Sequence, residues 1–167
     1  MNNLYVLCGI PGCGKSTWVK KKMSENPLSY IGTQKWAYVS RDEVRFSMIK
    51  EEDDYFSKEK QVYQEFINRI CDYLGDSWIE NVIADATHLN EVSRNKLINA
   101  IRRNRCKDKP LHITMVYFDI PLEVCKFRNN KRLGRARVPD EVMDKMYRSL
   151  EFPQLREGLE RIEIVRD

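Results

Sequence analysis

The chain has 167 residues and a net charge of +4, with 42% hydrophobic and 32% charged residues. This balance is ordinary for a soluble globular protein, and the length predicts a single domain over residues 1–167 that buries a core of its own. No stretch approaches 18 uninterrupted apolar residues and the start of the chain lacks a signal-peptide pattern, so we expect no contact with a membrane.

The five cysteines show no paired spacing along the sequence. They are Cys8, Cys13, Cys71, Cys106 and Cys125. An odd count without a CxxC motif argues against a disulfide framework or a zinc site. Reduced thiols are typical of the cytoplasm, which is where we expect this protein.

Short apolar segments alternate with longer amphipathic segments along the chain. The apolar segments predict five β-strands, at residues 4–8, 36–39, within 78–84, 113–118 and 161–165. The amphipathic segments predict helices at about residues 15–24, 42–50, 57–74, 91–103, 122–132 and 139–150, the first stopping near Asn26 and Pro27. This alternation predicts an α/β three-layer sandwich around a parallel five-stranded sheet, with ligands at the carboxyl ends of the strands.

Residues 9–16 spell GIPGCGKS and match the pattern GxxxxGK[ST] between the first predicted strand and the first predicted helix. Glycines allow the tight bend that brings backbone N–H groups around phosphate oxygens, and the helix N-terminus adds partial positive charge. In such a loop Lys15 neutralises the β- and γ-phosphates and the Ser16 hydroxyl ligates Mg²⁺. We therefore predict a P-loop NTPase fold that binds ATP, or another nucleoside triphosphate, with Mg²⁺.

The predicted nucleotide contacts extend over the whole loop and the first turn of the helix. They are Gly9, Pro11, Gly12, Cys13, Gly14, Lys15, Ser16 and Thr17. Thr17 lies near the position expected for the α-phosphate. Cys13 either fills a variable loop position, which we favour, or is a reactive thiol with a lowered pKa.

Asp42 and Arg45 follow the second predicted strand, at the start of a helix. A kinase acting on an alcohol benefits from a carboxylate that orients the hydroxyl and takes its proton, and we predict this role for Asp42. Arg45 lies three residues further on, so both side chains can share one helical face, and its guanidinium can grip an acceptor phosphate. Helix capping by Ser40 or Asp42 is the simpler alternative.

The third predicted strand ends in Asp85, in the position where many NTPases hold Mg²⁺ directly or through water. A turn or cap carboxylate is the alternative for Asp85. Thr87 and Asn90 follow as candidate substrate contacts or turn formers. His88 is a weaker candidate for a base than Asp42, and we favour a packing or substrate-contact role for it.

The basic interval at residues 128–138 predicts a helical lid over the triphosphate. Charge spreads over the γ-phosphoryl oxygens in the transition state, and a mobile arginine can stabilise it. Arg132 is the first candidate, with Arg135 and Arg137 as alternates, and Gly134 offers a bend. Closure of such a lid would also exclude water, which competes with the acceptor.

With these segments together, the chain resembles the kinase domain of phage and bacterial polynucleotide 5′-hydroxyl kinases from residue 4 to about residue 147. Four segments carry the resemblance: GIPGCGKSTW at 9–18, SRDEVRFSMI at 40–49, VIADATHLN at 82–90, and 118–147 with its FDIP, basic lid and VPDEVMDKMY. Some relatives carry an acid immediately before the threonine that matches Thr87, whereas this chain has Ala86 there and Asp85 before it.

The resemblance implies transfer of the ATP γ-phosphate to a 5′-hydroxyl end of DNA or RNA. By matching positions, Lys15 and Ser16 hold ATP and Mg²⁺, Asp42 is the general base, Arg45 clamps the acceptor phosphate and Arg132 contacts the donor phosphates. Other P-loop kinases use the same plan for nucleosides, sugars or antibiotics, and a non-catalytic ATP-binding switch is a third possibility.

Aromatic side chains for stacking an acceptor base are the remaining requirement of a nucleic-acid substrate. The candidates are Trp18, Phe46, Tyr55 and Tyr63. Aromatic residues at helical spacing more often belong to the core, so the pattern alone favours packing for all four.

Overall fold

Five parallel strands form the centre of the molecule, a computed structural model that describes residues 2–25, 35–105 and 108–167. The strands are β1 (Asn2–Cys8), β2 (Trp36–Ser40), β3 (Asn81–Asp85), β4 (Leu111–Phe118) and β5 (Arg161–Val165). They lie in the order β2-β3-β1-β4-β5, and every pair is parallel. The predicted parallel five-stranded sheet is therefore confirmed.

Helices connect the strands and cover both faces of the sheet. They are α1 (Lys15–Glu25), α2 (Arg41–Met48), α3 (Glu59–Gly75), α4 (Glu91–Asn104), α5 (Leu122–Asn130) and α6 (Asp140–Arg148), with 3-10 turns at Gly134–Ala136 and Leu155–Glu157. The predicted stop of the first helix at Asn26 and Pro27 lies outside the described residues, as does Cys106.

The alternation of side chains along β1 explains the two layers of helices. Leu4 and Val6 belong to the core cluster packed beneath α3 and α4. Leu7 belongs to a second cluster with residues of α1, α5 and α6. Because successive strand residues point to opposite faces, one strand supplies both cores and the three-layer sandwich follows.

Helix α5 ends at Asn130 rather than at the predicted residue 132, and Asn129 supplies the reason. Its fully buried side chain accepts from the Val138 amide (3.0 Å) and donates to the Val138 carbonyl (2.6 Å). The next amides form tight turns instead of continuing the helix, from Lys131 to the Arg128 carbonyl (3.3 Å) and from Arg132 to that of Asn129 (3.0 Å). Hydrogen bonds between Asn129 and Val138 therefore hold the two ends of the segment after α5, and its basic side chains lie outside the core.

A buried ion pair lies beneath the carboxyl ends of the central strands. Arg94 donates two hydrogen bonds to Glu157 (2.7 and 2.8 Å), and both side chains are inaccessible to solvent. Arg94 also donates to the carbonyls of His88, Leu89 and Glu151 (3.0–3.3 Å). Burial alone would raise the pKa of Glu157, but the hydrogen bonds from Arg94 hold it below its ordinary value.

The loops after β1, β2 and β3 meet at one edge of the sheet, since parallel strands end together. The Gly9 amide donates to the Thr87 carbonyl (3.0 Å), which joins the first of these loops to the third. None of the helices in the described ranges is long and apolar enough to cross a membrane.

Candidate active site

The loop between β1 and α1 adopts a conformation that only glycine permits at two positions. Gly12 has φ 82° and Gly14 has φ 98°. A Cβ on Gly12 would also lie 2.3 Å from the carbonyl oxygen of Cys125 in α5. The loop is therefore tightly packed against the helix behind it, which fixes the curve of its backbone amides.

The Lys15 ammonium lies inside this loop. It donates to the carbonyls of Gly9 (2.9 Å) and Ile10 (3.2 Å), and the Cys13 sulfur is 3.9 Å away. All three partners are uncharged or only weakly accepting, whereas a phosphate oxygen is a charged and stronger acceptor. The ammonium is thus held at the loop and is available to a phosphate placed in it.

The side chains of the loop divide between the cavity and the core. Ser16 and Thr17 are exposed at the start of α1 and line the main cavity of the site. Cys13 is buried in the core, where burial raises the pKa of its thiol. Its side chain therefore cannot contact a nucleotide, which leaves its backbone, and burial opposes the reactive-thiol alternative.

Asp85 lies at the end of β3, buried beside the loop. The Tyr38 hydroxyl of β2 donates to its Oδ2 atom (2.7 Å). Burial raises the pKa of Asp85, an effect opposed by the charge of Lys15 and by the Tyr38 hydrogen bond. A buried carboxylate facing a basic loop is suited to a hard cation with oxygen ligands, of which Mg²⁺ is one, and the Ser16 hydroxyl lines the same cavity.

Asp42 and Arg45 lie on one face of α2, as their spacing predicts. Arg45 Nη1 donates to Asp42 Oδ1 (2.8 Å), and the Tyr55 hydroxyl donates to the same oxygen (2.9 Å). The Asp42 side chain is 66% exposed, whereas that of Arg45 is 5% exposed. The cap of α2 is Ser40, whose hydroxyl accepts from the Glu43 amide (3.3 Å), so Asp42 is not needed as a cap.

Glu59 at the start of α3 fixes the arginines of α2. Arg45 Nη2 donates to one of its carboxylate oxygens (2.6 Å), and Arg41 donates to the other. Burial would raise the pKa of Glu59, but the hydrogen bond from Arg45 and the charge of Arg41 lower it. The Nε atoms of both arginines are buried and have no hydrogen-bond partner within the described residues.

The segment after β3 contains the three remaining candidates. Thr87 lines the main cavity. His88 is buried, and its Nδ1–H donates to the Leu7 carbonyl (2.7 Å), so of its two expected roles the structure favours packing. Asn90 caps α4 by accepting from the Ser93 amide (2.9 Å) and lies outside the main cavity, in a neighbouring one.

The basic segment, residues 128–138, covers the opposite side of the cavity. Arg132 lines the cavity, and its side chain forms a single hydrogen bond within the described residues, at 3.5 Å to the Ala136 carbonyl. Arg135 also lines it and donates to the carbonyls of Glu51, Lys50 (2.7 Å) and Asp53 (3.3 Å) between α2 and α3. The segment therefore contacts the connection between α2 and α3 through Arg135, and Arg132 is less constrained than Arg135.

These side chains surround one cavity of about 700 Å³. The predicted residues that line it are Pro11, Gly12, Gly14, Lys15, Ser16, Thr17, Asp42, Arg45, Asp85, Thr87, Arg132 and Arg135. Gly9, Cys13, Asn90 and the alternate Arg137 do not line it.

Several lining residues were missed or given a different role by the sequence analysis. They are Tyr38, Arg41, Phe46, Tyr55, Phe56, Glu59 and Arg128. Phe46 and Phe56 are 43% and 64% exposed, whereas Trp18 is in the core as the helical pattern favoured. The adjacent aromatics Tyr55 and Phe56 within a polar connection were the available signal for an exposed cluster.

A family model matches most of the chain. The sequence matches the model of a family described as an AAA domain over residues 4–153. A solved structure of similar fold is a chain of the Pnkp1/Rnl/Hen1 RNA repair complex, with a TM-score of 0.68 and 20% identity over 89% of this chain and 44% of that one. This chain thus spans less than half the length of that protein.

Two further structures share the fold and differ in their named activities. A fungal RNA kinase has a TM-score of 0.65 at 15% identity, over 99% of this chain and 76% of that one. A sugar kinase from Janibacter sp. HTCC2649 has a TM-score of 0.59 at 17% identity, over 99% and 85%. At these identities the likeness establishes the fold alone. Because the family match covers residues 4–153 of 167, the chain belongs to this AAA-domain family, with the fold of a P-loop kinase.

Proposed function

We propose that the chain is an ATP-dependent polynucleotide 5′-hydroxyl kinase, which transfers the γ-phosphoryl group to a 5′-OH end of DNA or RNA. The observation that carries this proposal is the pairing of an exposed carboxylate with a buried guanidinium, Asp42 and Arg45, across one cavity from the Lys15 loop. A substrate that brings both a hydroxyl and a phosphate matches this pair, and a nucleotide 5′ end is such a substrate.

On the donor side, the loop amides and Lys15 bind the β- and γ-phosphates, with Thr17 near the α-phosphate. Ser16 and Asp85 would hold Mg²⁺, which when bound neutralises charge on the phosphates. Arg132 lines the cavity, and within the described residues its side chain forms no hydrogen bond other than the 3.5 Å one to the Ala136 carbonyl, so it is free to reach the transferring group. It stabilises the charge that spreads over the phosphoryl oxygens in the transition state.

On the acceptor side, Asp42 is the general base. Its Oδ1 atom accepts from Arg45 and Tyr55, and its Oδ2 atom has no hydrogen-bond donor among the described residues. Oδ2 can therefore accept the substrate hydroxyl. As the hydroxyl oxygen bonds to the γ-phosphorus, its proton passes to Asp42 and the bond to ADP breaks.

Arg45 is the clamp on the first acceptor phosphate. Its Nη atoms are held by Asp42, Tyr55 and Glu59, while its buried Nε–H lacks a partner within the described residues. An unpaired buried donor is costly, and a phosphate oxygen would satisfy it. Because Glu59 fixes the guanidinium in advance, little side-chain freedom remains to be lost on binding.

An aromatic cluster beside Asp42 favours a nucleotide over a sugar as the acceptor. Phe46 and Phe56 both meet the Tyr55 ring edge-on, at centroid distances of 6.2 and 4.9 Å. Both phenylalanines are exposed and line the cavity. A base can stack on such side chains, whereas a sugar alone would leave them in water.

The test is transfer of labelled γ-phosphate from ATP to a panel of acceptors: 5′-OH DNA, 5′-OH RNA, nucleosides and sugars. We expect the oligonucleotides to be phosphorylated with the highest kcat/KM. Preferential transfer to a nucleoside or sugar would replace the proposal with a small-molecule kinase. ATP binding without transfer to any acceptor would favour a switch module.

Two substitutions separate the acceptor roles. Asp42→Asn keeps a hydrogen-bond acceptor for Arg45 and removes the base, so kcat should fall by about 10²–10⁴ while ATP affinity is retained. Asp72→Asn, at an exposed position of α3 outside the cavity, is the matched control. Equal loss of ATP binding and transfer in Asp42→Asn would contradict a role on the acceptor.

Arg45→Ala should chiefly raise the acceptor KM, by about tenfold or more for an acceptor with a 3′-phosphate and much less for the same nucleoside without it. An equal increase in KM for acceptors with and without a 3′-phosphate would rule out Arg45 as the residue that binds this phosphate.

A further inference from the structure

A second cavity of about 330 Å³ lies beside the active site. The two cavities share Arg41, Glu59 and Thr87 in their walls, so they meet at the position where Arg41 and Arg45 hold the same carboxylate. We name it the α3–α4 groove, because Tyr63 of α3 and Lys96 of α4 form its sides. It adjoins the proposed acceptor side of the main cavity, and residues 9–16 do not line it.

The groove is positively charged. Its cations are Arg41, Lys60 and Lys96, and the carboxylate in its wall, Glu59, is already bonded to two arginines. Lys60 and Lys96 are exposed, and neither forms an ion pair within the described residues. Uncompensated positive charge in a concave surface attracts an anion.

The Tyr63 ring contacts two of these cations. The Lys96 Nζ atom lies 4.9 Å from the centre of its ring and the Arg41 guanidinium carbon 5.1 Å from it. Its hydroxyl is buried and has no hydrogen-bond partner among the described residues, and the same is true of Arg41 Nε. The Tyr63 hydroxyl and the Arg41 Nε–H are thus two unpaired donors beside the Lys96 ammonium, and each donor would be satisfied by an acceptor oxygen.

We propose that the α3–α4 groove binds the second phosphate of the acceptor strand, counted from the reacting 5′ end. The proposal rests on the proposed function, in which Arg45 binds the first phosphate. Successive phosphates of one strand would then pass from Arg45 to Arg41 and on to Lys60 and Lys96. The groove therefore selects an oligonucleotide over a mononucleotide, which the main cavity alone does not do.

The experiment compares two acceptors that both carry a free 5′-hydroxyl. One is a nucleoside 3′-monophosphate, which has only the first phosphate. The other is a dinucleotide that ends in a 3′-phosphate, which has both. We expect the KM of the unaltered protein to be lower for the dinucleotide, and the variant Lys60→Ala/Lys96→Ala to raise that KM about tenfold while changing the mononucleotide KM less than twofold.

One control and one further groove variant make the comparison specific. Lys20→Ala/Lys145→Ala removes two exposed helical lysines that line neither cavity, so it should leave both KM values unchanged. Tyr63→Phe removes only the unpaired hydroxyl and should raise the dinucleotide KM alone. The dinucleotide KM should also depend on salt less steeply in the groove variant, because fewer phosphate contacts release fewer counterions.

The outcomes separate this inference from the function on which it rests. If the protein phosphorylates both acceptors with equal KM, or if the groove variant alters both KM values to the same extent, the groove is not a phosphate site and the kinase assignment stands. If the protein phosphorylates no 5′-OH nucleotide of any length, the function and the groove both fall.

Discussion

Acidification should destabilise the fold through one buried imidazole, His88. Burial lowers its pKa from 6.5 to about 4, and the nearby positive charges of Arg41, Lys15 and Arg94 act in the same direction. The hydrogen bond to the Leu7 carbonyl opposes them but is outweighed. The native state therefore keeps His88 neutral at a pH where the unfolded chain already protonates it.

The magnitude follows from these two pKa values. Between about pH 6.5 and pH 4 the unfolded state binds more protons than the native state, so the free energy of unfolding falls as the pH is lowered. From about pH 7.5 to pH 5, a shift of this size corresponds to a loss of about 2 kcal/mol from His88 alone. Above about pH 7 the contribution is constant, because both states are then neutral.

Urea unfolding of the protein and of His88→Asn at both pH values measures this loss. Asparagine tolerates the positive φ of 45° at this position and does not titrate. The other titratable groups are the same in both proteins, so the difference between their pH dependences isolates His88. An identical pH dependence in the two proteins would refute the argument that burial keeps this imidazole neutral.

Two further substitutions test the packing beneath the active site and the packing of the phosphate loop against α5. Glu157→Gln should lower the free energy of unfolding by about 3–5 kcal/mol, because Arg94 keeps its buried charge without a carboxylate, and urea unfolding measures it. Adding Arg94→Met to Glu157→Gln should recover part of that loss by removing the buried charge. A cost below about 1 kcal/mol for Glu157→Gln alone would contradict the reasoning. Gly12→Ala should abolish ATP binding in calorimetric titration and lower Tm, since its Cβ would meet the Cys125 carbonyl at 2.3 Å. Gly75→Ala, whose Cβ meets nothing within 4 Å, should bind ATP normally, and ATP binding by Gly12→Ala would show that the loop can move away from α5.

The sheet and the phosphate loop could be predicted because their signals are local. Strand residues such as Leu4 and Val6 lie in short apolar runs, and the loop motif specifies its own strand and helix context. The pairing of Asp42 with Arg45 could also be predicted, since a spacing of three residues places side chains on one helical face.

The supports of the site could not be predicted, because they come from distant parts of the chain. Glu59 is 14 residues from Arg45 and Glu157 is 63 residues from Arg94, and in each pair the two residues belong to different elements of the fold, which no periodic pattern relates. Phe46 illustrates a second limit: helical spacing favours the core for an aromatic residue, but it does not specify which helical face is covered. Only the packing of α2 leaves this ring at the cavity.

Glu59 gives the proposed acceptor side of the cavity an unusual electrostatic arrangement. An anion in the wall of a phosphate site would ordinarily repel the substrate, yet here both carboxylate oxygens are bonded to guanidinium groups. The two arginines lose side-chain mobility but keep their charges. Two positive charges therefore remain beside the single negative charge that orients them. The same carboxylate therefore affects both the attraction for an acceptor anion and the rigidity of the arginines that bind it. Replacing Glu59 by an uncharged residue would strengthen the attraction and weaken the rigidity.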